Sequence, residues 1–573
     1  MGAGLLHAQI ETGGGEPASV RWMEWETPSF KILYPQGNDY LANEYGQLLE
    51  KYRGIVGASL GMVPGSLQYN KAPVLLHTRT NFSNGTVVWA PRRMELYTLP
   101  EANGSDALPW AEQLAIHEQR HYAQMQFGYS SGFFRLIEFL FGEMAPGALV
   151  GIYPGQALLE GDAVVAETAL TRAGRGRQGD FLNYYQVAYD NGDWRNWYRW
   201  RYDSYRSYTP DHYALGYQTI AGARVFFGDT LFMQRYFHDA AHNPFRIGRF
   251  RHMLKKDAGT SFKKAFRQIQ EGFQAEWAAD REARGPFMPM ERVSAEPRFA
   301  TDYSEPFFHD SCLYVLKSGK VTPTTLVRIR PDGTEEDVRP FCASSGNLGH
   351  DEHYNRLYWC ESVADRRWSL AGTNRIRYLS MEDFEPHDLT TEGRYFNPEP
   401  SPHDGSVVSA ISYPVEGGSA IAFFRADNGE CFRTLPAPAG VQLTEAVWGA
   451  DCLYALGLSE GGFSLWRTDG TKVWHQLTEP IPARFEHLHD DDGIQFVSDM
   501  NGVDELYRFD EADGTLYRLS NTPYGATEFT VDGDRASNST SADVRQSSPR
   551  CPTSHTRRLR WGTARGSPST RTH

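Results

Sequence analysis

Apolar and polar positions fall into two regimes along this chain. Up to about residue 283 the apolar residues recur mainly at helical spacing, and beyond about residue 298 they alternate in short runs. Residues 30–34 alternate as a strand that Pro35 closes. A 3.6-residue period then places Leu41, Tyr45, Leu48, Leu49, Tyr52 and Val56 on one face, predicting a helix over 39–60. Strands are predicted over 72–77 and 86–89, the second after the turn signal Asn84-Gly85. A helix over about 109–127 follows, half buried by Leu114, Ala115 and Ala123. The chain then reads as largely helical, strongly aromatic through 183–217, with a last amphipathic helix over 261–279. Gly285, Pro286, Pro289 and Pro297 mark 284–297 as a linker.

In the second regime strands are predicted at 311–316, 355–359, 405–411, 451–455 and 493–498. Their spacing of about 40–50 residues is that of four-stranded propeller blades. A sixth unit begins near Glu528 and stops, because 535–573 is rich in Ser, Thr, Arg and Pro and nearly free of apolar residues. The expected fold is therefore multidomain: an α+β domain over 21–283, then an all-β propeller over 298–534, six-bladed with its last blade incomplete. Residues 535–573 read as a disordered basic tail or an unnatural ending. Residues 1–20 are Gly-rich; Ala8 before Gln9 resembles the end of a secretory signal without its basic and apolar parts, the alternative being an ordinary disordered terminus.

Composition narrows the function classes. A formal charge of −14 argues against nucleic acid as the main partner, since phosphate binding needs a basic surface. No apolar run approaches the ~20 residues of a membrane span. The six cysteines all follow residue 311 and form no C-x-x-C pair, which removes thiolate zinc sites and dithiol redox motifs.

The chemistry sits in His117-Glu118-Gln119-Arg120-His121. On a helix His117 and His121 leave one face at i and i+4, about 5–6 Å apart at Cβ, close enough to share one ion. Glu118 stands beside that ion, placed to take a proton from water. Downstream, Glu160 opens a Glu-Gly-Asp-Ala run and would complete a His₂Glu zinc site that keeps one position open. Glu167, two turns along the same helical face, is expected to orient a histidine. Asp162 is the weaker alternative ligand. The strand over 86–89, with Val87, Val88 and Trp89, is expected to pair with an extended peptide or protein substrate. The aromatic residues from Trp194 to Tyr208 read mainly as helix packing, and 174–177 as a solvated loop.

The His117-Glu118-x-x-His121 motif followed by Leu159-Glu-Gly-Asp-Ala163 resembles the gluzincin clan of zinc peptidases, in particular the peptidase MA-like family, over about residues 25–280. The resemblance implies a zincin-type domain binding one Zn²⁺ through His117, His121 and Glu160, with Glu118 as base. Such enzymes often carry a downstream Tyr for the oxyanion; Tyr213, in a Tyr-x-x-Gly run, fits that role, with Tyr217 and His212 behind it. The family usually has a Trp just before the Glu-Gly pair, where this chain has Gln156-Ala-Leu-Leu159, a departure that touches packing and no ligand. The stretch 476–520 resembles a TolB-like blade. With the signal-like start, that implies the bacterial cell envelope, periplasmic or secreted, and a possible protein partner on the propeller. The rival expectation is a non-catalytic envelope protein whose propeller is an interaction platform. A glycan hydrolase ranks behind both, for want of a carboxylate pair at a supportable spacing.

Overall fold

The computed structural model describes residues 14–532, apart from 63–70, 105, 127–129, 148–154, 203, 205–207, 295–296, 342–346 and 491–492, together with the backbone of Arg535–Ser541 and Ser554–Arg560. The signal-like residues 1–13 lie outside the described residues, as does most of 535–573. The chain is multidomain, with a largely helical N-terminal half and a β-propeller.

The N-terminal half begins with β1 (Trp22–Glu26), β2 (Phe30–Pro35), α1 (Asp39–Val56), β3 (Ala72–His77), β4 (Gly85–Val88) and β5 (Arg93–Tyr97). The sheet order is β1-β2-β3-β5-β4. β2, β3 and β5 run parallel, whereas β4 lies antiparallel to β5 on the outer edge. In β2 and β3 alternate residues are buried, and Phe30, Ile32, Val74 and Leu76 share one core with Leu41, Tyr45 and Leu49 of α1. Two short strands, β1 and β5, are not among those the sequence pattern predicts.

Helices complete this half: α2 (Trp110–Gln126), α3 (Gly132–Phe141), α4 (Gly155–Leu170), α5 (Asn183–Asp190), α6 (Trp197–Arg201), α7 (His212–Phe227), α8 (Phe232–His242), α9 (Arg249–Asp257) and α10 (Phe262–Arg284). α10 is capped by the Ser261 hydroxyl, which accepts from the Lys264 N–H. Of the aromatic stretch, Trp197 and Trp200 are buried and Trp194 stacks on Tyr189 at 4.8 Å, whereas Tyr198 and Tyr202 are exposed. Tyr205 lies outside the described residues.

Five blades each come from one continuous stretch, beginning at Thr301, Gly349, Tyr395, Gln442 and Phe485. A sixth four-stranded sheet joins Glu528–Asp532, Arg535–Ser541 and Ser554–Arg560 to β6 (Met290–Arg292). This corrects two expectations. The segment read as a linker supplies an outer strand, and the last blade is not left incomplete, because two strands form where a tail was expected. Backbone pairing does not require an apolar pattern, which is why neither was visible. Carboxylates tie the inner strands together: Glu528 accepts from the Glu305 N–H at 2.6 Å, Glu305 from Leu348 at 3.1 Å, and buried Glu445 from His487 and Leu488.

The two halves are joined by polar contacts. Arg394 donates to Thr78 O, Gly104 N–H to Glu486, and Asn183 to Tyr524 O, while Arg484 pairs with Asp180.

Candidate metal centre

α2 carries the histidines and is buried almost all round, so its polar residues face protein rather than solvent. Arg120 holds it to α4 by a fully buried bidentate pair with Asp162, at 2.8 Å for both bonds, and also donates to Val56 O and Ser59. Asp162 is therefore a structural anchor, turned away from the histidines.

α4 and α7 touch backbone to backbone. A Cβ on Gly161 would fall 2.1 Å from Gly216 C, and one on Gly216 only 1.6 Å from Ala157 O. These two glycines set the depth of Glu160, which precedes Gly161, and of Tyr213, one turn before Gly216. The result is convergence. Glu160 Oε2 lies 2.9 Å from His121 Nε2 and 3.2 Å from His117 Nε2, and the two Nε2 atoms are 3.0 Å apart. Among the described residues this is the one cluster of three or more His, Cys, Asp or Glu side chains with ligand atoms close enough to share an ion.

The outer ring nitrogens are held as well. His117 Nδ1 lies 2.5 Å from Glu167 Oε1, and His121 Nδ1 lies 2.9 Å from Gln124 Oε1. Both contacts orient the rings so that Nε2 faces Glu160, and His117 Nδ1 also lies 2.8 Å from an Arg175 nitrogen. Burial alone would lower both imidazole pKa values. The Glu160 carboxylate overrides it, and His121 is raised to about 10. The pocket thus favours positive charge between these groups.

Glu118 is buried, and its Oε2 has no hydrogen-bond partner among the described residues. Burial raises its pKa, which makes it a stronger base than a solvated carboxylate. It faces the start of β4, where a Cβ on Gly85 would stand 2.6 Å from Glu118 Oε1. Asn84, Gly85, His117, Glu118, Arg175 and Tyr213 line one cleft. Val87, Val88 and Trp89 do not. Val87 joins the core with Met94 and Leu114, Val88 is also buried, and Trp89 follows the strand with its ring against Gly147. β4 borders the cleft only through Gly85, its first residue.

Tyr213 stands with its ring 6.1 Å from that of His117. Burial raises its pKa, so its O–H is a donor at neutral pH. Tyr217 turns away and donates to Gly176 O, and half-buried His212 packs on Tyr213 with its pKa lowered by burial.

The sequence reading missed Arg175. The loop taken as solvated is a short turn, Arg175–Arg177, folded against α4, and Arg175 pairs with Glu167 at 2.6 Å while lying 4.9 Å from the Tyr213 ring centre. It holds Glu167 well below the usual carboxylate range despite complete burial. The only hint was its glycines. A Cβ on Gly176 would meet Tyr217 at 2.4 Å, and Gly174 has φ +100°.

No family model and no curated protein matches the chain. Among solved structures, a prolyl endopeptidase aligns at 14% identity over 51% of this chain and 46% of its own, with TM-score 0.31. The β-propeller domain of the trilobed protease from Pyrococcus furiosus aligns at 10% over 45% and 95%, TM-score 0.31. A gluconolactonase from Xanthomonas campestris aligns at 14% over 48% and 89%, TM-score 0.33. The chain spans about half the length of the first of these. At such scores none bears on the chemistry, and the propeller rests on this chain's own strand pairing.

Proposed function

We propose that this chain is a zinc-dependent metallopeptidase of the gluzincin kind, cleaving extended peptide segments in the cleft that the start of β4, α2, Arg175 and Tyr213 line. The observation that carries it is the convergence of His117 Nε2, His121 Nε2 and Glu160 Oε2 beside the unpartnered, buried Glu118 Oε2. The donor set fits zinc. Bonds of 2.0–2.2 Å in tetrahedral geometry separate ligand atoms by about 3.3 Å, and here they lie 2.9–3.2 Å apart. Two imidazoles and a carboxylate leave a fourth position for substrate or water. The antiparallel edge strand beside the histidine helix agrees with the zincin-type domain that the resemblance implies.

Bound there, zinc supplies a Lewis acid that acidifies water and polarises a carbonyl. The chain's own residues do the rest. Glu167 and Gln124 orient the imidazole rings. Glu118 takes the proton of the attacking water at Oε2 and returns it to the leaving amine. The Tyr213 O–H donates to the oxygen on which negative charge develops. The free edge of β4 pairs with an extended substrate, which favours internal cleavage of unfolded segments, and the propeller limits entry by its contacts at Gly104 and Asp180.

The test is hydrolysis of denatured casein by the full chain with zinc, with chelator, and by Glu118→Gln. Cleavage that needs zinc and disappears in Glu118→Gln is expected. Undiminished cleavage by Glu118→Gln sinks the mechanism.

A further inference from the structure

The surface farthest from ordinary solvent behaviour lies in the helical half. On α3 the side chains of Leu136, Phe139, Leu140 and Phe141 point outward, Phe139 at 86% exposure and Phe141 at 67%. Phe133 at the start of the same helix meets Phe245 with ring centres 5.9 Å apart, and Phe245 is 73% and Ile247 91% exposed. α3 and the turn at 245–247 therefore form one continuous apolar ridge. Single exposed apolar residues are ordinary; contiguous aromatic and aliphatic tips of this size are not.

Exposed cations follow the ridge along the chain, whose formal charge is −14. α9 begins two residues after Ile247 and spans about 14 Å, at 1.5 Å per residue. It exposes Arg251, Lys255 and Lys256, and Lys263 and Lys264 follow at the start of α10. None of these five has an ion-pair partner among the described residues. The nearby acids are committed: Asp239 to Arg246 and Arg249, Asp257 to Arg235, and Glu138 to Arg92. An exposed apolar ridge continued by a helix that exposes unpaired cations complements one surface above others, an anionic bilayer, whose acyl boundary takes the ridge and whose headgroups take the cations.

We infer that the protein docks peripherally on anionic phospholipid membranes through α3, the 245–247 turn and α9. No helix among the described residues is long and apolar enough to cross a membrane, so the mode is interfacial. The inference is independent of the zinc site.

The test is co-sedimentation of the full chain with mixed phosphatidylglycerol–phosphatidylcholine vesicles against pure phosphatidylcholine. Binding is expected to the mixed vesicles and to weaken with salt, as each lysine near the surface contributes about fivefold in affinity. The variant Phe139→Ser/Ile247→Ser and the variant Lys255→Glu/Lys256→Glu are each expected to lose at least tenfold, with unchanged melting temperature and zinc content. Two outcomes overturn the inference: wild type staying in the supernatant with both vesicle types, or a homodimer in light scattering that Phe139→Ser/Ile247→Ser dissociates while vesicle binding is absent.

Discussion

Gly216→Ala is the sharpest test of how the site is built. In an α-helix this change ordinarily stabilises by up to about 1 kcal/mol, because alanine has the better propensity. Here the new Cβ would fall 1.6 Å from Ala157 O, 2.7 Å from Ala157 C and 2.9 Å from Gly161 Cα. Ordinary contact begins near 3.4 Å, a shortfall of about 1.8 Å against backbone atoms that no rotamer change relieves. Overpacking costs about 1–3 kcal/mol, and the upper end applies, so a net loss of about 2 kcal/mol remains after the propensity gain. For a unit of this size that is a fall of roughly 5 °C in melting temperature. The site suffers too. Glu160 lies between Ala157 and Gly161 on the turn that must retreat, whereas a zinc ligand tolerates displacements of only about 0.2 Å. Zinc affinity, measured by competition with a chromogenic chelator, is expected to fall at least tenfold. Gly132→Ala is the control, since a Cβ there meets nothing within 4 Å. A Gly216→Ala protein as stable as wild type with undiminished zinc affinity refutes backbone-to-backbone packing of α4 on α7.

Other outcomes follow from the same geometry. Glu167→Gln is expected to weaken zinc binding about 10- to 100-fold while leaving the fold intact, as for other groups that orient a ligand histidine; an unchanged affinity would contradict its role. Arg120→Met strands a buried Asp162 and should cost about 3–5 kcal/mol in denaturation experiments. In metal-free protein, Glu101→Gln/Glu445→Gln should lose less stability than wild type as pH rises from about 4.5 to 7. Burial raises Glu101 and Glu445 to about 7, so in that window the folded state binds more protons than the unfolded one. Thermal scans in chelator that give wild type and this variant the same pH dependence across the window would contradict the assignment.

How much of this was legible in the sequence depended on the range of the interactions. The His117–His121 pair and its helix were readable because i,i+4 spacing is local. The propeller was recognisable from one strand per blade: the predicted runs coincide with the second strands, such as Arg356–Ala364 and Leu453–Ser459, which have neighbours on both sides and carry the apolar residues. The innermost strands were hidden, since register shifts beside Glu305, Asn397 and Glu445 break their alternation. β6 is three residues long and pairs with a strand about 265 positions away, so composition alone read it as a linker. Arg175 looked like a solvated cation because its partner Glu167 becomes buried only when the loop folds over α4. The reason for the glycine after Glu160 appears only when α7 is laid against it.

The central claim is tested most directly by zinc content. Elemental analysis of purified wild type, Glu118→Gln and Glu160→Ala is expected to give one zinc per chain in the first two and a large loss in the third. A well-folded wild type that binds no zinc even after incubation with the ion would contradict the account.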